Sequence, residues 1–192
     1  TQDNICNRAM IKDRELHWKD AATIKRFQEA RLKETLSYVA EHSPFYKRLF
    51  AERGIDPTSI ESLEELQQLP TTTKQELQLH NADFLCVEPR DIIDYVTTSG
   101  TLGEPVTIAL TEGDLQRLAY NEASSFTMAG CTNDDIMQLM TTIDRRFMAG
   151  LAYFLGAREL GSGVVRVGNG IPELQWDTIK RVKSTACMVV PS

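Results

Sequence analysis

From Ile92 onward, short apolar runs of strand composition alternate with helical stretches, and this alternation constrains the fold more than any other feature. Residues 95–98 and 106–110 are β-rich. Thr111-x-x-Asp114 opens a helix that runs to about Ala129. Residues 136–140 read as a strand, 147–160 as a helix, 164–167 as a strand, 173–183 as a helix and 186–190 as a strand. Near-continuous apolar strands separated by helices predict an α/β fold with a largely parallel sheet. A parallel strand needs neighbours and covering helices, so an apolar strand running into Pro191 and Ser192 leads us to expect the first part of a larger domain, truncated at its C-terminal end.

The region before Ile92 has a different pattern. Ile24, Phe27, Leu32, Leu36, Val39 and Ala40 recur at helical steps and make one apolar stripe. That helix is expected to end at Ser43, because the residue before a proline resists the helical region. Phe45, Tyr46, Leu49 and Phe50 follow as a short amphipathic turn closed by Gly54. Ser62-x-x-Glu65 and Thr73-x-x-Glu76 are capping boxes and mark the starts of two short helices. The expected division is a helical N-terminal region over 1–81 and an α/β domain over 92–192. Trp18 and Trp176 are expected to pack in the core.

A chain of 192 residues can bury roughly 70% of its unfolded surface and needs neither disulfides nor metals for a core. With 27 acidic and 21 basic residues its formal charge is −6, which disfavours a nucleic-acid partner. The longest nearly apolar stretch, 147–157, is too short to cross a bilayer and runs into Arg158 and Glu159. The first residues carry no apolar signal core. Cys6, Cys86, Cys131 and Cys187 are scattered without a C-x-x-C, and His17, His42 and His80 show no metal-ligand spacing. Reduced thiols, no metal site, no membrane and a cytoplasmic location are the expectations that follow.

The stretch most suggestive of chemistry is 97–105, T-T-S-G-T-L-G-E-P. It sets the hydroxyls of Thr98, Ser99 and Thr101 around Gly100 and Gly103, between two strand-like runs. Glycines let backbone N–H groups approach an anion closely, and hydroxyls add donors to phosphate oxygens. The same composition also suits an ordinary turn. It is not a G-x-x-x-x-G-K-[ST] loop, and no helix follows it as in a dinucleotide fingerprint.

The loop resembles the phosphate-binding motif of the adenylate-forming superfamily, T-S-G-T-T-G-x-P. Upstream, S-P-F-Y at 43–46, S-L-E-E-L at 62–66 and L-P-T-T-T-K at 69–74 with Glu76-Leu77 are similar, in order, to the N-terminal region of phenylacetate–CoA ligases. Downstream, F-M-A-G-L at 147–151 and G-A-R-E-L-G at 156–161 resemble that family's F-T-G-G-L and G-A-E-R-L-G. The likeness covers about Glu29 to Ser192.

The resemblance implies ATP-dependent activation of a carboxylic acid, an aryl acid such as phenylacetate, to an acyl-adenylate and then a coenzyme A thioester. ATP, Mg2+ and coenzyme A would be the co-substrates and cofactor, and a homodimer the assembly. Thr98, Ser99, Gly100, Thr101 and Gly103 would cradle the β- and γ-phosphates. Phe147, Met148 and Gly150 would wall the acyl pocket. The family's remaining catalytic groups match nothing in this chain, so no catalytic residue is assigned here. Leu102 replaces a threonine, Glu104 brings no positive charge, and T-T-I-D-R-R at 141–146 stands where the family carries a tyrosine–glycine run. Arg145 and Arg146 are read either as solvated charges before a helix or as contacts to a carboxylate or phosphate. Two other readings remain open: an adenylyl synthetase with a deazaflavin-cofactor or acyl-protein acceptor, and a non-catalytic helical interaction module.

Overall fold

A computed structural model describes residues 15–98 and 104–190. The chain divides into two compact units, residues 15–91 with 104–107 and residues 92–98 with 108–190.

In the first unit, helix α1 (Ala21–His42) starts where the Asp20 carboxylate accepts the Thr23 N–H at 3.0 Å. Its predicted stripe turns inward: Leu36 forms a core with Phe50 and Ile60, joined by Leu32, Val39 and Ala40. Ser43 then serves two helices. Its N–H closes α1 on the Val39 carbonyl, and its hydroxyl oxygen accepts the Tyr46 N–H to cap α2 (Pro44–Arg53). The same hydroxyl donates to the Asp83 carbonyl at 3.0 Å, so this wholly buried polar side chain is satisfied. Phe45 stacks on Phe84 at 4.0 Å, and the Tyr46 hydroxyl meets that of Thr72 at 3.0 Å. Helix α2 stops at Gly54, whose φ of 62° suits glycine.

Both capping boxes form. Thr73 and Glu76 exchange hydrogen bonds at the start of α3 (Lys74–Leu79). Ser62 and Glu65 do the same, yet open only a 3-10 turn, Glu65–Gln68. Pro70 holds Leu69 extended, at ψ 141°, and ends the turn after one pass.

The second unit is α/β. Strands β1 (Ile92–Thr97) and β2 (Thr107–Thr111) pair with each other. A Thr111/Asp114 capping box opens α4 (Glu112–Met128). The chain continues through β3 (Ile136–Leu139), α5 (Met148–Leu160), β4 (Gly163–Arg166), α6 (Pro172–Val182) and β5 (Ala186–Met188). The sheet order is β4-β3-β5 with both pairings parallel, Leu139 lying opposite Arg166 on one side and Met188 on the other. The parallel sheet expected from the alternation is present, but among the described residues β1 and β2 form their own two-stranded sheet beside it.

Met137, Gln138 and Leu139 on the central strand are wholly buried. Gln138 is tolerated there because its amide donates to the Gln175 side-chain oxygen at 2.9 Å and its oxygen accepts the Ser184 hydroxyl at 2.8 Å. Helices α4 and α5 touch at Gly156, where a Cβ would lie 2.3 Å from the Glu122 Cβ. The two tryptophans depart from expectation: Trp18 is 80% and Trp176 63% exposed. Trp18 sits in a three-residue 3-10 turn ahead of α1. On α6, Gln175 and Thr178 face the protein, which turns Trp176 outward at 100° per residue.

Candidate functional site

The site is built at the carboxyl end of β3, the end of a parallel sheet where α/β proteins place ligands. Three strands are stitched together there. The Leu139 carbonyl accepts the N–H groups of Val167 and Gly168, each at 3.1 Å, and Met140 donates to the Met188 carbonyl at 3.0 Å. Thr141 is buried, and the chain then turns sharply through 142–147 before α5 begins.

That turn has an unusual backbone. Arg145 and Arg146 both adopt left-handed conformations, with φ of 58° and 61°. Residues with a Cβ disfavour this region, and arginine lacks the short side chain that reconciles asparagine or aspartate to it. Local contacts hold the shape. The Thr142 hydroxyl bonds the Asp144 carboxylate and also accepts the Asp144 N–H at 3.3 Å. The Phe147 N–H returns to the Asp144 carbonyl at 3.2 Å. The Thr142 hydroxyl holds the Asp144 carboxyl below the usual carboxylate range, helped by Asp144's own N–H and the nearby Arg145 charge.

The turn reaches the other candidate region. The Arg146 carbonyl accepts the Thr97 N–H at 3.1 Å, at the last residue of β1. Thr98 follows, exposed. Ser99, Gly100, Thr101 and Gly103 lie outside the described residues. On the far side of these residues the Glu104 carbonyl accepts the Gln78 side-chain amide, and Asn81 donates to the Thr107 carbonyl at 2.9 Å.

The residues singled out for the acyl pocket divide by burial. Phe147 and Met148 are 38% and 36% exposed at the start of α5. Gly150 is buried with its Cα against the turn: a Cβ there would stand 1.8 Å from the Thr142 carbonyl oxygen. Among the described residues no three His, Cys, Asp or Glu side chains group to hold a metal ion. No described helix is long and apolar enough to cross a membrane. Cys86, Cys131 and Cys187 are free thiols, and burial pushes the Cys86 thiol up.

The left-handed arginines and the Thr97–Arg146 bond were not foreseeable from composition, since nothing in D-R-R announces positive φ. A glycine there would have been the signal.

Two comparisons define the class and then the family. The fold matches that of a 2-hydroxyisobutyryl-CoA ligase whose crystal structure holds 2-HIB-AMP and CoA. The TM-score is 0.78 at 25% identity, over 88% of this chain and 37% of that one. An open conformation of the same ligase gives 0.77 at 24% identity. The fold is therefore that of the acyl-CoA ligases. No family model matches the chain. By sequence it is 33% identical to the phenylacetate–coenzyme A ligase of Thermus thermophilus over 184 residues, 95% of this chain and 41% of the relative. It is 31% identical to the Escherichia coli phenylacetate–coenzyme A ligase over 170 residues, 88% of this chain and 39% of that one. The chain belongs to the phenylacetate–coenzyme A ligase family, and it spans about two-fifths of the length of these relatives.

Proposed function

We propose that this chain is the nucleotide-gripping part of an AMP-forming acid–CoA ligase. The observation that carries the reading is the Thr97–Arg146 hydrogen bond, which ties the start of the hydroxyl–glycine run to the carboxyl end of β3. In this reading Thr98, Ser99, Gly100, Thr101 and Gly103 cradle the β- and γ-phosphates of ATP. The acid's carboxylate attacks the α-phosphorus, pyrophosphate leaves, and the coenzyme A thiolate then displaces AMP to give the thioester. The chain's own contribution is positional and electrostatic: hydroxyl and backbone donors hold the departing pyrophosphate's charge. Phe147, Met148 and Gly150 border the acyl group.

An aryl acid is the favoured substrate because the relatives named above are phenylacetate ligases. In the same reading residues 1–81 are assigned to a helical N-terminal region and 92–192 to the first part of the adenylation domain. The cytoplasm suits the free thiols, and a homodimer is the assembly to test by light scattering.

The deciding experiment screens carboxylic acids with the full-length protein for AMP formation, with and without coenzyme A. AMP together with an acyl-CoA product supports the ligase; AMP without a thioester moves the acceptor elsewhere; no AMP with any acid refutes the reading. Ser99→Ala or Thr101→Ala in that protein raises the barrier to pyrophosphate release by about 2–4 kcal/mol, the usual loss for one donor aimed at developing charge. Unchanged ATP–pyrophosphate exchange in both variants contradicts the cradle.

A further inference from the structure

We infer that residues 142–146 are a backbone latch that aims the end of β1, and that the carbonyl of Arg146, not its guanidinium, is the working group. The consequence for catalysis rests on the nucleotide reading above; the latch itself rests on geometry.

Three features support it. Gly150 lets the first turn of α5 press against the Thr142 carbonyl, at a separation that leaves no room for a Cβ. The Thr142 hydroxyl fixes the Asp144 carboxylate and accepts its N–H, closing the turn from within. Two successive left-handed residues then rotate the Arg146 carbonyl onto the Thr97 N–H at 3.1 Å. A backbone this unfavourable persists only where its surroundings over-determine it. Here the over-determination ends on one acceptor, which holds the residue immediately before Thr98. Both arginine side chains are exposed. Binding groups must be held to within about 0.5 Å to act, so a fixed end of β1 is a requirement for a phosphate cradle that follows it.

The inference makes residues 142–146 a positioning element, and a pair of substitutions separates backbone from side chain. Arg146→Gly and Arg146→Val both remove the guanidinium. Glycine accepts φ near 61°, whereas a β-branched residue resists it. In the full-length protein, acid-dependent ATP–pyrophosphate exchange and hydrogen exchange at the Thr97 amide are measured together. Arg146→Gly keeps the KM for ATP within about twofold of the parent, because the carbonyl stays in place. Arg146→Val raises that KM about tenfold or more, leaves the KM for the acid within about twofold, and speeds exchange at Thr97. Thr142→Ala acts in the same direction as the valine variant, and Thr142→Ser restores the parent behaviour. This second pair decides the matter should the valine variant fold poorly.

Equal loss in the glycine and valine variants assigns the role to the guanidinium and overturns the latch. Equal retention, with Thr97 protection unchanged in Arg146→Val, overturns it as well. A parent protein without any exchange activity defeats the nucleotide reading alone, and the Thr97 amide still decides the latch.

Discussion

Two junctions in this chain lead into helices that begin with family-like motifs, and they solve the same problem in opposite ways. At Ser43 one helix stops and another starts in relaxed geometry. The extended backbone suits a residue before proline, Pro44 needs no N–H at the first helical position, and the serine satisfies every polar atom it buries. At 141–147 a strand gives way to a helix through two left-handed arginines, and no side chain caps α5 at Phe147. The first junction is what stability alone selects. The second keeps a costly shape, at about 1–2 kcal/mol for each left-handed residue, whose visible product is one hydrogen bond to Thr97. Strain of this kind clusters at functional sites, so the comparison directs attention to the second junction.

The contrast is breakable. The largest expected effect is at Gly150: Gly150→Ala drives a methyl into the Thr142 carbonyl and lowers stability by about 3 kcal/mol, measured by denaturant unfolding. It raises the KM for ATP as well, because α5 can no longer seat the turn. A smaller loss follows Ser43→Ala, about 1–2 kcal/mol, as the cap and the bond to the Asp83 carbonyl disappear together. That variant leaves the KM for ATP where it was. Equal shifts of KM in the two variants erase the distinction between the junctions.

The smallest effect is a pH dependence. Asp144 titrates below its ordinary value because the Thr142 hydroxyl favours the charged form. Its contribution is therefore present above the unfolded-state value of about 3.9 and is lost as pH falls through the lowered folded value. Asp144→Asn flattens stability against pH in that acid window and leaves the profile near neutrality unchanged. An identical acid limb in parent and variant removes Asp144 from the turn's support.

What the sequence could show follows from where each signal resides. Helix starts were legible because caps are local: Thr111 with Asp114, and Thr73 with Glu76, declare themselves within four residues. The strand–helix alternation gave the three parallel strands because β3 is a buried apolar run and its half-exposed neighbours β4 and β5 are short apolar runs set between helices. The separate pairing of β1 with β2 was not legible, since choice of partner is a tertiary matter that no local pattern encodes. The single-pass turn after Ser62 shows a genuine capping box overruled by Pro70. At the candidate site, the hydroxyl–glycine run and the start of α5 were visible as composition. The turn that links Thr97 to Arg146 was not, because arginine carries no left-handed preference and the bond runs backbone to backbone. The core role expected for Trp18 and Trp176 failed for a similar reason: an aromatic side chain has no fixed address until the helix around it is oriented.

The proposed role of the hydroxyl–glycine run at 98–103 is to hold a nucleotide's phosphates. A crystal structure of the full-length protein with a non-hydrolysable ATP analogue tests it most directly. Phosphate oxygens are expected within about 3 Å of the Ser99 and Thr101 hydroxyls, with the Thr97–Arg146 bond intact. A triphosphate bound away from residues 98–103 contradicts it.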